Sequence, residues 1–165
     1  MTDPVAARIA DTFNRTFGAS HRTCMVGGGV EPLYEPAATD RPARIVYTRD
    51  YAASALHEAA HWCLAGAARR GLRDYGYSYV PGPRDPQSRA AFFASEYDVQ
   101  AVEALLAEVC AVRFVVSADD FAAPQADLES FERNVRAAIE RRRTRGLPLR
   151  AERFRDALIE EFADG

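Results

Sequence analysis

Lysine is missing from this chain: all 21 of its basic residues are Arg. Schiff-base chemistry and a lysine general base are therefore excluded. Cysteine is scarce, and Cys24, Cys63 and Cys110 are odd in number, far apart and without a C-x-x-C pair. Neither a disulfide framework nor a structural zinc knuckle fits that pattern. No stretch approaches the ~18 uninterrupted apolar residues of a membrane span. The start, Met1–Thr2–Asp3–Pro4, lacks the basic and apolar regions of a signal peptide, so a cytoplasmic protein with no membrane partner is expected. Charge of one sign is lacking too. The net is −3 over 165 residues, and no recognised binding module is present, so nucleic acid is not an expected partner.

Apolar residues make up 48 % and charged residues 27 %, without low-complexity segments, which predicts one globular domain over residues 1–165. Helical spacing is seen at Val5, Ile9, Phe13 and Phe17, giving a helix from Pro4 closed by Gly18. Gly27–Gly28–Gly29 has neither Walker nor dinucleotide spacing and reads as a flexible turn. Arg44–Ile45–Val46–Tyr47 reads as a buried strand. An Ala-rich helix from Ala52 to Ala68, capped by Thr48 or Asp50 and ended by Gly71, follows. Tyr75 to Val80 alternates aromatic and small residues and predicts a strand with one aromatic face. A helix from about Glu96 to Val112, a short strand at Phe114–Val116, and helices near 126–143 and 151–162 complete the pattern. The fold class expected is α+β: a small mixed sheet packed against a metal-binding helix, with further helices at both termini.

Two of the three histidines, His57 and His61, fall four residues apart in Leu56–His57–Glu58–Ala59–Ala60–His61. On a helix they lie about 40° apart around the axis, so both project from one face. This is the H-E-x-x-H arrangement, in which two neutral imidazoles converge on one metal ion. Its apolar flanks suit a metal pocket. Cys63 falls on the opposite side and reads as a small core residue. A third ligand must come from elsewhere, and the acidic candidates are Asp74, Asp85, Glu96, Asp98, Glu103 and Glu108. Glu96 stands out as opening a helix, while Glu103, two turns along the same face, could ligate or orient a ligand. A 2-His-1-carboxylate set suits hydrolytic Zn(II) or oxygen-activating Fe(II) equally.

A longer pattern surrounds the motif. Arg44 to Tyr47, Tyr51 to Arg70 and Asp74 to Tyr79 resemble the elongation factor P hydroxylase family. Glu31–Pro32–Leu33–Tyr34 and Pro36 match that family's Glu-Pro-x-Tyr-x-Pro segment. Pro81, Arg84, Asp85, Gln87, Phe92, Glu96, Gln100 and Ala101 fall in its register. The resemblance runs over about residues 5 to 160 and is specific through 31–103. Ser78, Gly82–Pro83 and Val99 depart from it, around the expected pocket rim.

The resemblance implies a metal-dependent hydroxylase acting on the modified lysine of translation elongation factor P, its protein partner. It implies a metal held by His57, His61 and Glu96, with Fe(II) expected, Zn(II) or another divalent ion as the alternative, and O₂ as co-substrate. Glu58 is expected to be catalytic without ligating. Tyr75, Tyr77, Tyr79, Arg84, Asp85 and Glu103 are the expected substrate-binding residues. The alternative is a small zinc hydrolase in which Glu58 is the general base that activates water on a peptide carbonyl. Arg133 to Arg155 holds nine Arg against Glu140 and Glu152, which reads either as a solvated face or as a docking surface for an acidic partner.

Overall fold

A computed structural model describes residues 4–78 and 83–163. The order is α1 (Pro4–His21), β1 (Thr23–Gly29), β2 (Leu33–Glu35), β3 (Ala43–Thr48), α2 (Ala52–Leu64), α3 (Ala67–Arg70), a 3₁₀ turn (Arg73–Gly76), α4 (Pro86–Val109), α5 (Gln125–Arg145) and α6 (Leu149–Phe162). The fold is α+β. Its three strands run β1-β3-β2, with β1 parallel and β2 antiparallel to the central β3.

Alternation along β3 turns Ala43, Ile45 and Tyr47 inward onto the helices. The side chain of Asn14 on α1 pins that layer, since Met25 N–H donates to its Oδ1 at 2.6 Å and its Nδ2 donates to Met25 O at 3.0 Å. Helices α1, α2 and α6 close around an aromatic knot. Trp62 packs on Phe13 and Phe17 at centroid separations of 5.0 and 4.8 Å, and Phe154 meets Phe13 at 5.4 Å. All four rings are fully buried, so this knot fixes α2 in place. Helix α5 covers α4 through Phe131 on Phe93, 4.5 Å apart.

Several local expectations are corrected. Gly18 lies inside α1, which runs on to His21; the chain leaves the helix at Arg22, with φ +45°. Gly27–Gly28–Gly29 is the end of β1 and not a free turn, because the strand bulges there against β3 and Gly28 takes φ +91°. A Cβ at Gly27 would meet the Tyr47 ring at 2.7 Å and one at Gly29 would meet Val46 at 2.8 Å, so these two glycines serve close packing. The motif helix stops at Leu64 and breaks at Ala65–Gly66; Tyr51, with no side-chain bond, stands at its start in place of Thr48 or Asp50.

The strand expected over Tyr75–Val80 does not form in its described part. Asp74, Tyr75 and Gly76 take φ of +48°, +58° and +77°, a left-handed run that no strand accommodates, while Tyr79 and Val80 lie outside the described residues. Phe114–Val116 is likewise not a strand. The backbone beside it, at Ser117, pairs with the Gln100 side chain instead of another strand. Finally, α4 starts ten residues before Glu96, because Asp85 caps it and Pro86 occupies its first turn.

Candidate metal centre

Helix α2 sends His57 and His61 from one face toward α4. The facing stripe of α4 carries Glu96, Gln100 and Glu103, each about one turn after the last, and all three are buried. Nε2 of His61 lies 3.1 Å from Glu96 Oε1, and Nε2 of His57 lies 3.6 Å from Glu96 Oε2. One donor atom from each of His57, His61 and Glu96 lies within 4.8 Å of the others. Nδ1 of His57 bonds Glu103 Oε2 at 2.6 Å, a short charge-assisted contact that turns the other ring nitrogen inward. Gln100 Nε2 donates to Glu96 Oε2 at 3.1 Å and holds that carboxylate from the side.

These donors fit a metal ion. Two imidazoles and one carboxylate converge, one imidazole is fixed through its far nitrogen, and the carboxylate is fixed by a neighbouring amide. Electrostatics agree. Burial works to lower the His57 pKa but is outweighed by the hydrogen bond and charge of Glu103 and by the charge of Glu96, raising it to about 10. Burial works to raise the Glu96 pKa, but the His61 hydrogen bond and the two imidazole charges hold it down to about 2. An anionic cage thus grips a proton where a dication would be gripped more firmly.

Glu58 is buried beside these groups, and burial pushes its carboxyl above the usual range despite the opposing charges of His61 and His57. With His61 and Glu96 it lines a cavity of about 570 Å³. The other walls include Tyr34, Tyr75, Tyr77, Arg84 and Phe92. Tyr75 stacks on Tyr34 at 4.2 Å, with the rings 10° apart, and lies nearly parallel to His61 at 6.1 Å. Asp74 Oδ1 accepts the Tyr34 N–H at 2.9 Å, so the left-handed run from Asp74 to Gly76 is tied down at the cavity edge. Arg84 stands over the Phe92 ring at 3.8 Å and donates from Nη1 to Asp119 O at 2.8 Å.

The expected site residues thus divide. His57, His61, Glu96 and Glu58 come together. Tyr75, Tyr77 and Arg84 face the cavity, though the two tyrosines do so from a turn and an irregular segment. Asp85 does not line it; both of its oxygens are engaged by Ser88 at the start of α4. Glu103 faces His57 in place of the cavity, and Tyr79 lies outside the described residues. Tyr34 and Gln100 were given no place at the site by sequence reasoning, and Asp74, a candidate ligand there, instead lines the cavity edge and accepts the Tyr34 N–H. A signal for Gln100 was present, since Glu96, Gln100 and Glu103 form a polar stripe in a helix otherwise rich in Val, Leu and Ala.

Part of the Arg-rich segment is held in ion pairs. Arg142 pairs with Asp98 at 2.7 Å, Arg143 pairs with Glu108, and Arg136 pairs with Glu132 at 2.9 Å. No helix among the described residues is long and apolar enough to cross a membrane.

Comparison with known proteins converges on one family. The sequence model described as elongation factor P hydroxylase matches residues 12–165. The chain is similar to the elongation factor P lysine hydroxylase of Haemophilus influenzae, 38 % identical over 152 residues that span 92 % of this chain and 85 % of that protein. The zinc-hydrolase alternative finds no support in either match.

Proposed function

The chain belongs to the elongation factor P hydroxylase family, and from that membership we propose that it hydroxylates a lysine side chain of translation elongation factor P, with Fe(II) held by His57, His61 and Glu96 and O₂ as co-substrate. The observation that carries this reading is the convergence of three donor atoms within 4.8 Å beside a cavity of about 570 Å³. Bound there, Fe(II) would supply oxygen activation, since two imidazoles and one carboxylate leave coordination positions free.

The protein's own groups do the rest. The rings of Tyr34, Tyr75, Tyr77 and Phe92 line an apolar channel for the aliphatic stem of a lysine. Aromatic faces also attract an ammonium head. Glu58 accepts hydrogen bonds from that head and holds it deep in the cavity. Arg84, fixed by Asp119 and Phe92, makes one wall cationic and turns the ammonium away from it. Glu103 acts through His57, keeping its ring oriented, and Gln100 acts in the same way on Glu96.

Incubating purified elongation factor P with the iron-loaded protein, a reductant and O₂ is the test. One added oxygen on a lysine-bearing peptide is expected by mass spectrometry. An unchanged factor, in both its modified and unmodified forms, would overturn the substrate. The metal content of anaerobically purified protein separates iron from zinc.

A further inference from the structure

The break between α2 and α3 leaves the carbonyl of Ala65 free of the helical ladder, and two guanidiniums converge on it. Arg70 Nη1 donates to Ala65 O at 2.7 Å and Arg150 Nη2 donates to it at 2.5 Å. Both also stand over the indole of Trp62, with Arg70 at 5.9 Å and Arg150 at 4.6 Å from the ring centroid. The imidazole of His21 meets the same indole edge-on at 5.4 Å. Arg153 lies one turn along α6, over Phe17 at 5.3 Å, and donates to Thr16 O at 3.2 Å. Among the described residues, no carboxylate lies within ion-pair reach of Arg70, Arg150 or Arg153.

Two polar atoms here are buried without a partner: Trp62 Nε1 and Arg150 Nη1. Trp62 is fully buried, so its N–H has no access to solvent. Two like charges drawn onto one neutral carbonyl repel each other, and buried donors without acceptors carry a desolvation cost. An anion beside that carbonyl would offset the like charge of the two guanidiniums. The start of α6, a helix of 14 residues, adds its positive dipole end at Leu149–Arg150. The crowding of positive charge also registers on its members. Burial and then the charges of Arg150, Arg153 and Arg70 lower the His21 pKa, and burial and then Arg70 lower that of Arg150.

We propose that the α2–α3 break is an oxyanion site of the phosphate class, built by Arg70 and Arg150 over the Trp62 ring, with His21 and Arg153 at its rim. The donors come from α1, α3 and α6, hence from several directions. A tetrahedral anion can meet such a set, whereas a planar carboxylate offers only two oxygens in one plane. The site is separate from the metal donors and does not depend on the hydroxylase reading.

Trp62 is the one tryptophan in the chain, so its fluorescence reports on its own surroundings, and the His57→Ala control separates this site from the metal centre. The metal-loaded protein is titrated with inorganic phosphate against chloride at matched ionic strength, with glycerol phosphate and acetate as parallel arms. A saturable change in Trp62 emission is expected with phosphate, with one site by calorimetry. Response to phosphate alone identifies a free anion as the ligand; an equal response to glycerol phosphate identifies a phosphate carried on a larger molecule. Arg70→Met and Arg150→Met should each weaken binding on the order of tenfold or more. His57→Ala should leave binding unchanged, which separates this site from phosphate captured by the metal. A wild-type protein with no saturable response, or one that binds acetate as tightly, would overturn the proposal. So would undiminished affinity in Arg70→Met, or loss of the response in His57→Ala.

Discussion

His57 Nδ1 donates to Glu103 across 46 positions of sequence at 2.6 Å, and that bond presents Nε2 of the same ring to Glu96 at 3.6 Å. In the proposed function, orientation and ligation divide between these two carboxylates on one face of α4. Glu103→Gln keeps an acceptor but removes the charge, so metal affinity should fall by roughly 10–100-fold. Glu96→Gln should cost more, because it weakens a direct donor. Metal titration of the two variants ranks them, and the reverse ranking would make Glu103 the ligand.

Removing an imidazole is more severe. His57→Ala and His61→Ala each leave two protein donors where three converge, too few to retain a labile ion. Both purified variants should lack metal and turnover. Stoichiometric metal with full activity in either would disprove the assignment.

Metal affinity should rise with pH. In the metal-free protein His57 holds its proton up to about pH 10, because Glu103 and Glu96 stabilise the imidazolium despite its burial. A metal must displace that proton, so apparent affinity should gain about tenfold per pH unit per proton released, below the His57 value. Glu96 stays ionised down to about pH 2 and contributes no proton near neutrality. Calorimetry in buffers of different ionisation enthalpy measures the release directly. Binding with no proton release near pH 7 would contradict the charge balance described here.

Much of this architecture is written in local sequence, and the exceptions share a cause. The His57–His61 pair needs only helical spacing, and Ile45 and Tyr47 need only alternation, so both were legible. Glu96 was legible as a carboxylate on a helix, although the helix begins ten residues earlier at a capping Asp85. The Tyr75 region was misread because Asp74 and Tyr75 adopt left-handed backbone, which only tertiary ties such as the Asp74–Tyr34 bond hold in place. The break at Ala65 was missed for the same reason. Its carbonyl is satisfied by Arg150, 85 positions away, and no local pattern encodes that.

In the proposed function, Glu58 separates ligation from chemistry. It lines the cavity but is not among the converging metal donors. Glu58→Gln should therefore keep the metal, while hydroxylation falls on the order of 100-fold or more as the charge facing the substrate amine is lost. The wild-type protein should cleave no unfolded peptide substrate. Robust proteolysis would restore the hydrolase, and loss of metal in the variant would make Glu58 a ligand.

Gln100 links stability to the site. It is buried at 2 % exposure, donates to Glu96 Oε2 at 3.1 Å and to Ser117 O at 2.6 Å, and accepts the Ser117 N–H at 3.1 Å. Gln100→Leu would fill similar space while leaving the Ser117 amide and carbonyl without partners. The expected loss is about 1–3 kcal/mol of stability, or roughly 2–4 °C in Tm for each kcal/mol at this chain length. Measured on metal-free protein, that loss reports the Ser117 tie together with the hydrogen bond to Glu96. Metal should then stabilise the variant less than it stabilises the wild type, because a Glu96 carboxylate no longer held from the side must be ordered when the ion binds. Equal metal-induced shifts in Tm at matched metal concentration would show that Gln100 braces the backbone at Ser117 and has no part in orienting the ligand.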